Sequence, residues 1–301
     1  MDVYDILRER LDAEQILLNE PMKNHTTFRV GGLADVFVMP KNTGEVLFVL
    51  QTCRGKKMPC FVLGNGSNLL VADEGIRGVV ISLKNLTEMK LVDDDTIYAG
   101  AGCLLPDISK FAREHSLSGL EFAEGIPGSL GGGIAMNAVA YEGEIKQFFR
   151  KAHVIDQNCQ LCEIELDGME FAYRQSAVQR DGLTVCSAIL GLAGGNAAEI
   201  SAKMANYRRR RMEKQPLEMP SAGSTFKRPP GHFAGKLIMD AGLRGFAIGG
   251  AQVSEKHCGF IINRGGATAA DILALAAHVQ QVVKDKFDVV LELEVKIIGG
   301  G

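Results

Sequence analysis

Long apolar stretches are missing from this chain. No run of about 18 apolar residues occurs, so no membrane span is expected. A strong charge of either sign is missing too. Thirty-three Lys and Arg against 36 Asp and Glu leave a formal net charge of −3, which argues against a dedicated nucleic-acid binder. Aromatic residues make up only 6% and tryptophan is absent, so platforms for stacking bases are few. No secretory segment is evident, because Met1–Glu14 is amphipathic and charged. The seven cysteines (Cys53, Cys60, Cys103, Cys159, Cys162, Cys186 and Cys258) form an odd, scattered set. They read as reduced thiols, and the expected location is the cytoplasm. Cys159 and Cys162 form a CxxC with no second pair and no suitably spaced His, so they read as sheet-turn cysteines and no metal is expected. No internal repeat or low-complexity segment appears.

Against these absences stands an abundance of glycine. The 35 glycines cluster, which points to loops pressed against a ligand. The stretch around which the chain is organised is Cys60–Leu63, a buried-strand pattern, running into Gly64-Asn65-Gly66-Ser67-Asn68-Leu69. Glycine permits positive φ and close backbone approach. Successive N–H groups in such a turn form a nest for phosphate oxygens, to which Ser67 and Asn68 add side-chain donors. A strand followed by an ordinary surface turn is the plainer alternative. Neither a dinucleotide fingerprint nor a Walker loop is present, since no GK[ST] follows. The second cluster is Ala123–Asn137, in which Pro127-Gly128-Ser129 is turn chemistry and Gly131-Gly132-Gly133 strips three successive side chains. Three adjacent glycines carry an entropic cost. They favour close approach to a large planar or phosphorylated ligand.

Periodicity supplies the frame. Helices are expected over Val3–Leu18, over Glu45–Arg54 with Thr43 as cap, from Pro106 to about His115, over Ala197–Glu213, and after a capping box at Thr268–Asp271. The last of these shows Ile272, Leu275, Ala276, Val279 and Val283 on one face. Strands are expected near Ala34–Met39, Val79–Leu83 and Thr96–Ala99, and as an antiparallel set at His153–Asp156, Leu161–Leu166 and Val185–Leu192. The Val289–Ile298 alternation puts Leu291, Leu293, Val295 and Ile297 on one face and Glu292, Glu294 and Lys296 on the other. Length suggests two or three domains. Tyr207 is followed by Arg208-Arg209-Arg210-Arg211, either a solvated helix end or an anion clamp.

Taken in order, six stretches resemble the family of UDP-N-acetylenolpyruvylglucosamine reductases (the MurB family): NHTTFRVGG at Asn24–Gly32, GNGSNLL at Gly64–Leu70, GIPGSLGGGIAMNA at Gly125–Ala138, YRQS at Tyr173–Ser176, SAGSTFKRP at Ser221–Pro229 and LELEV at Leu291–Val295. The resemblance runs from about Asn24 to Gly299, and the absence of an inserted loop suits the shorter, type II-like subclass. It implies an α+β protein with the FAD-binding fold of vanillyl-alcohol-oxidase-type (PCMH) enzymes, in two α/β subdomains, plus a C-terminal α+β substrate-binding domain. The implied divisions are 1–83, with the final strand 291–301 expected to rejoin it, then 84–213 and 214–290. The implied activity is reduction of UDP-N-acetylglucosamine enolpyruvate to UDP-N-acetylmuramate in peptidoglycan synthesis. The implied cofactor is non-covalent FAD, the reductant NADPH, and no oligomer is required.

The resemblance also assigns residues. Arg29, Gly64, Asn65, Gly66, Ser67, Asn68, Leu69, Gly128, Ser129, Gly132 and Asn137 would face FAD. Arg174 would meet the substrate carboxylate, Ser224 would donate the proton, and Glu294 would be the third catalytic residue, with a raised pKa expected from a closed site. Lys214, Lys227, Arg228 and Gln252 would contact the sugar nucleotide. Tyr207 would stand in for the substrate-gripping Tyr of longer members, with the arginine run beside it. Each has a plain structural role available: Arg174 a surface ion pair, Ser224 a turn, Glu294 an exposed strand face. Two other readings stand beside this one. One is an FAD oxidase of the same fold, with His25, His115 and His153 as candidates for a covalent tether. The other is a sugar-nucleotide or flavin sensor, which would not need Arg174, Ser224 and Glu294 together.

Overall fold

The computed structural model describes residues 3–300. It divides into two units, each built from separated stretches of chain: residues 1–18, 36–65 and 78–211 in the first, and 19–35, 66–77 and 212–301 in the second.

The first unit closes around one apolar core that includes Val36, Val49, Val79, Ile81, Ile97, Leu130, Phe149, Val154 and Leu190. Cys60–Leu63 pairs parallel with the strand Ile76–Ser82, setting Cys60 opposite Val79 and Leu63 opposite Ser82. They lie in a four-stranded sheet ordered Ile16–Pro21, Leu33–Val38, Ile76–Ser82, Cys60–Leu63. The second sheet is antiparallel and five-stranded, in the order Leu161–Glu165, Phe149–Ile155, Thr184–Gly191, Thr96–Gly100, Met89–Leu91. Its three central members are nearly all buried or half-buried, as an inner strand should be.

Three sequence expectations change here. The expected Val3–Leu18 helix stops at Leu7, and Ile16–Pro21 is a strand. The Leu11 and Ile16 side chains are buried as predicted, but from a turn and a strand. The cap of the helix Thr43–Gly55 is Asn42, whose Oδ1 accepts from the Glu45 N–H at 3.0 Å. The three glycines form half of a six-residue helix, Leu130–Ala135. Glycine is a poor helix former, so tertiary packing overrides propensity. A Cβ on Gly131 would stand 3.1 Å from the Ala101 Cβ, and one on Gly133 3.1 Å from Leu105.

The second unit has its own core, drawn from Phe28, Val30 and Leu70 together with residues between Ala222 and Val295. The helix Ala269–Phe287 starts on the expected capping box, with Thr268 Oγ1 accepting from the Asp271 N–H at 3.0 Å. The Asp73 carboxylate adds two acceptors, for Ala269 N–H at 2.8 Å and Ala270 N–H at 2.9 Å. All five residues of the predicted apolar face are buried. The chain ends differently from the sequence pattern. Regular strand is confined to Lys296–Ile298, which pairs parallel with Leu69–Val71. Leu291 and Val295 are buried, whereas Ile297 is 46% exposed. Gly301 lies outside the described residues.

Candidate active site

In the first unit the strand Cys60–Leu63 delivers Gly64 and Asn65 to the wall of a cavity of about 300 Å³. Ser129 lies directly beside Gly64 in the lining, and Lys84, Thr87, Met89, Cys103, Leu104 and Asp107 complete most of the rest. Ser129 is only 2% exposed, yet its Oγ has no hydrogen-bond partner. A buried hydroxyl without a partner costs on the order of 1–3 kcal/mol, so a polar ligand group is the natural explanation. A Cβ on Gly64 would lie 2.5 Å from that oxygen. Glycine at 64 therefore leaves the hydroxyl the room that a side chain would take. Lys84, on the rim, is exposed and cationic. Burial pushes the Cys103 thiol pKa up and keeps it neutral. Lys84 and Thr87 escaped sequence reasoning because they stand in an unremarkable loop. The only available hint is that the loop directly follows the Val79–Leu83 pattern.

Several predicted cofactor residues have other tasks. Asn65 Nδ2 donates to the Pro127 carbonyl at 2.7 Å, tying the two glycine clusters together. Asn137 is 2% exposed and bonds inward through both ends of its amide: Nδ2 to Glu144 at 2.8 Å and to the Ala172 carbonyl at 3.4 Å, Oδ1 to the Lys146 N–H at 3.1 Å. Its side chain is committed to the protein. Gly128 accepts the Leu105 N–H through its carbonyl at 2.9 Å, and Gly132 is exposed. In the second unit, Gly66 has φ +63, and a Cβ there would collide with the His25 carbonyl. Packing explains that glycine without a ligand. Ser67 is half-buried, and Leu69 pairs with Lys296. Asn68 Nδ2 donates to the Glu294 carbonyl at 3.1 Å. Arg29 is exposed, with φ +55.

Arg174 occupies the third position of a four-residue turn, closed by the Gln175 N–H donating to the Ala172 carbonyl at 3.2 Å. Its φ is +58, a left-handed conformation normally left to glycine. The turn is anchored because Ser176 Oγ donates to the Ala135 carbonyl at 3.0 Å. The guanidinium lies 5.5 Å from the Tyr173 ring centroid. A non-glycine residue held this way stores roughly 1–3 kcal/mol of strain and tends to mark a functional position.

In the second unit, the segments after Ala222 and Leu291 pair in antiparallel fashion. Phe226 bridges Leu293, the Glu294 N–H donates to the Thr225 carbonyl at 2.8 Å, and the Lys227 N–H donates to the Glu292 carbonyl at 2.8 Å. Glu294 is thus bonded through its backbone to Thr225, the residue after Ser224, and both Ser224 and Glu294 are half-buried. Thr225 fixes this register, since its Oγ1 accepts the Ile261 N–H at 3.0 Å. Lys227 pairs with the exposed Glu292 at 2.9 Å. Arg228 lies 4.0 Å over the Phe233 ring. Gln252 Nε2 donates to the Gly245 carbonyl at 2.9 Å, and Lys214 is exposed at the end of the helix Ala197–Lys214.

Tyr207 and the arginine run have partners within the protein. Tyr207 is 3% exposed, so its ring face is not open to a substrate. It stacks on Tyr141 at 4.4 Å, and burial, then the nearby Glu142 carboxylate, push its pKa up. Arg208 binds the buried Glu124 carboxylate, Arg209 donates to Asn206 at 3.0 Å, and Arg210 lies over Tyr141 at 4.5 Å. Arg211 donates from Nη1 to the Gly125 carbonyl at 2.7 Å, and burial lowers its pKa. The four side chains wrap the helix as expected, but three of them grip the protein itself beyond their own helix.

Comparison with known proteins bears on this geometry. A reductase from Clostridium perfringens, named UDP-N-acetylenolpyruvoylglucosamine reductase, is 51% identical over 299 residues, covering 99% of this chain and 98% of the relative. The chain belongs to the UDP-N-acetylenolpyruvoylglucosamine reductase family. Another such reductase, from Caldanaerobacter subterraneus, is 50% identical over 297 residues, covering 99% of this chain and 98% of the relative. Residues 215–298 match the family model for the C-terminal domain of UDP-N-acetylenolpyruvoylglucosamine reductase, and residues 34–165 match an FAD-binding domain. The crystal structure of the reductase from Thermus caldophilus superposes with a TM-score of 0.81 at 35% identity, covering 94% of this chain and 98% of that one. A grass-pollen allergen with glucose dehydrogenase activity shares the fold alone, with a TM-score of 0.52 at 11% identity, covering 98% of this chain and 58% of that one. The reductase-family α+β fold expected from the resemblance is therefore the fold observed. The cavity lies within the stretches of the FAD-binding match, and its orphaned Ser129 hydroxyl, open Gly64 wall and rim lysine fit an anionic cofactor such as FAD. No described helix is long and apolar enough to cross a membrane.

Proposed function

We propose that this chain reduces UDP-N-acetylglucosamine enolpyruvate to UDP-N-acetylmuramate for peptidoglycan synthesis, in the cytoplasm, with NADPH as reductant and without need of an oligomer. The observation that carries the reading is the presence in one chain of the FAD-binding match at 34–165 and the reductase C-terminal match at 215–298. FAD, bound non-covalently, supplies hydride chemistry between NADPH and the enolpyruvyl double bond. Gly64 and Ser129 are the contacts best supported by geometry, and residues 214–290 are the region proposed to receive the sugar nucleotide.

The remaining work falls to the chain's own side chains. As the double bond accepts hydride, negative charge grows toward the substrate carboxylate. A permanently charged, forked guanidinium suits that carboxylate, and Arg174 is the proposed donor. Ser224 is the proposed source of the proton for the carbon bearing the ether oxygen. A hydroxyl is a weak acid, so this transfer depends on the strong basicity of that carbon. Glu294 is proposed to share in the same proton transfer. Its support is the paired backbone that fixes it beside the Ser224 segment. Lys214, Lys227, Arg228 and Gln252 are proposed contacts for the nucleotide, with Lys227 exchanging its exposed partner Glu292 for a phosphate oxygen.

An anaerobic visible spectrum tests the whole reading. Flavin bands should bleach with NADPH and return when UDP-N-acetylglucosamine enolpyruvate is added. Recovery only on admitting oxygen would make the protein an oxidase, and a colourless chain that FAD cannot reconstitute would remove the proposal altogether.

A further inference from the structure

The arginine run was a candidate for the substrate, yet two of its members converge on two adjacent residues of the glycine-rich segment. Arg208 Nε donates to Glu124 Oε1 at 2.8 Å, and its Nη2 binds the same oxygen. Arg211 Nη1 donates to the next carbonyl, Gly125, at 2.7 Å. Glu124 is 3% exposed and Arg211 9%, so the Arg211 contact is shielded from water, whereas Arg208 reaches the buried carboxylate from an exposed position on its helix. Gly125 has φ +84, and a Cβ there would approach Arg211 Cδ at 3.2 Å. Beyond Gly125 the chain turns through a Gly128 N–H to Ile126 carbonyl bond of 2.8 Å and an Asn65 Nδ2 to Pro127 carbonyl bond of 2.7 Å. It then reaches the buried, unpartnered Ser129 hydroxyl in the cavity wall.

We propose that Arg208 and Arg211 are positioning residues for the cofactor, clamping Glu124-Gly125 so that the Pro127–Ser129 turn is held ready for FAD. The inference rests on the reading of the cavity as an FAD site. Its physical basis is preorganisation: a turn already fixed in its bound shape loses little freedom on binding. One end of the segment is held by the two guanidinium groups, its middle by Asn65, and its far end by the Leu105 N–H on the Gly128 carbonyl and the bridge between Leu104 and Ser129. Releasing the guanidinium end loosens the approach to the turn that Ser129 completes.

The test titrates FAD into the full-length apoprotein, following flavin fluorescence and the shape of the visible flavin band, with the melting temperature of each apoprotein as a control. Arg211→Met should weaken FAD binding about tenfold or more and alter the band shape. Arg211→Lys, which can still donate to the Gly125 carbonyl, should recover most of the loss. Arg208→Met, which leaves the buried Glu124 carboxylate without its partner, should weaken binding severalfold, and Arg208→Lys, which keeps the ion pair and is less prone to misfold, should recover most of that loss. Arg209→Met should leave FAD affinity unchanged. If Arg208→Met and Arg211→Met bind FAD as tightly as the parent, with the same spectrum, the clamp is wrong while the FAD site stands. A parent chain that takes up no FAD would overturn the FAD site and the clamp with it.

Discussion

Arg174 and the run Arg208–Arg211 carry the same guanidinium in opposite surroundings. The four adjacent arginines look, in sequence, like the stronger anion site. In the fold, Arg208 and Arg211 are tied to Glu124 and Gly125, and Arg210 to the Tyr141 ring. Arg174 is a single arginine, yet it is held at φ +58 on an anchored turn. Charge density does not by itself mark an anion site; the positive φ of Arg174, which Arg29 and Lys57 share, is one of the features that motivate the role proposed for it.

The sharpest way to break this comparison is at Arg174. Arg174→Ala is expected to lower kcat/KM by about 10²- to 10³-fold, the usual scale for losing one preorganised donor. Arg174→Gly should lose as much activity and yet gain roughly 1 kcal/mol in unfolding free energy, because glycine accepts positive φ without strain. A destabilised glycine variant would mean that the turn is not strained. Ser224→Ala should reduce turnover at least about 10²-fold while leaving the NADPH-driven bleaching of the flavin intact. Loss of both half-reactions would assign Ser224 to binding instead. Replacing Arg208 to Arg211 together by Ala is expected to weaken FAD affinity more than it raises the substrate KM, and the opposite pattern would return the run to the substrate. Arg210→Ala removes contacts with the Tyr141 and Tyr207 rings, so about 0.5–1 kcal/mol of stability should be lost.

The smallest effect is at a thiol pair, where a shared hydrogen bond shifts the two pKa values apart. The bond from Cys53 lowers the pKa of the exposed Cys60 thiol to about 7, and the same bond raises that of Cys53. Cys60 is therefore thiolate above about pH 7 and thiol below it, so its alkylation rate should rise through that pH. In Cys53→Ala the rise should move toward that of a free thiol, about 8.5. An unmoved profile would show that the two thiols do not interact.

Much of the frame was legible because it rests on local rules. The Thr268 capping box, the five-residue face of the helix it opens and the three antiparallel strands all follow from spacing alone. What local rules did not show was decided by distant partners. Gly66 is glycine because His25 presses on it, and the helix at Leu130–Ala135 forms despite its glycines because Ala101 and Leu105 leave no room for side chains there. The apolar periodicity of Val3–Leu18 was real, but Leu11 and Ile16 reach the core from a turn and a strand. The site shows the same division. Gly64 and Ser129 could be picked out by their glycine-rich context, whereas nothing local distinguishes Asn137, an internal hub, from a cofactor ligand.

The interleaving of the two units has a consequence for how the protein is made. Phe28, Val30 and Leu70 leave the ribosome early, but the apolar partners of their core lie between Ala222 and Val295. For most of synthesis these early residues have nothing of their own to pack against, so the second unit must wait for nearly the whole chain. Nascent chains halted before residue 222 should therefore expose Phe28 to proteolysis or chaperones, while the first unit, complete at residue 211, can already protect its own core. Birth order, and not only final contacts, is thus written into where the chain crosses from one unit to the other.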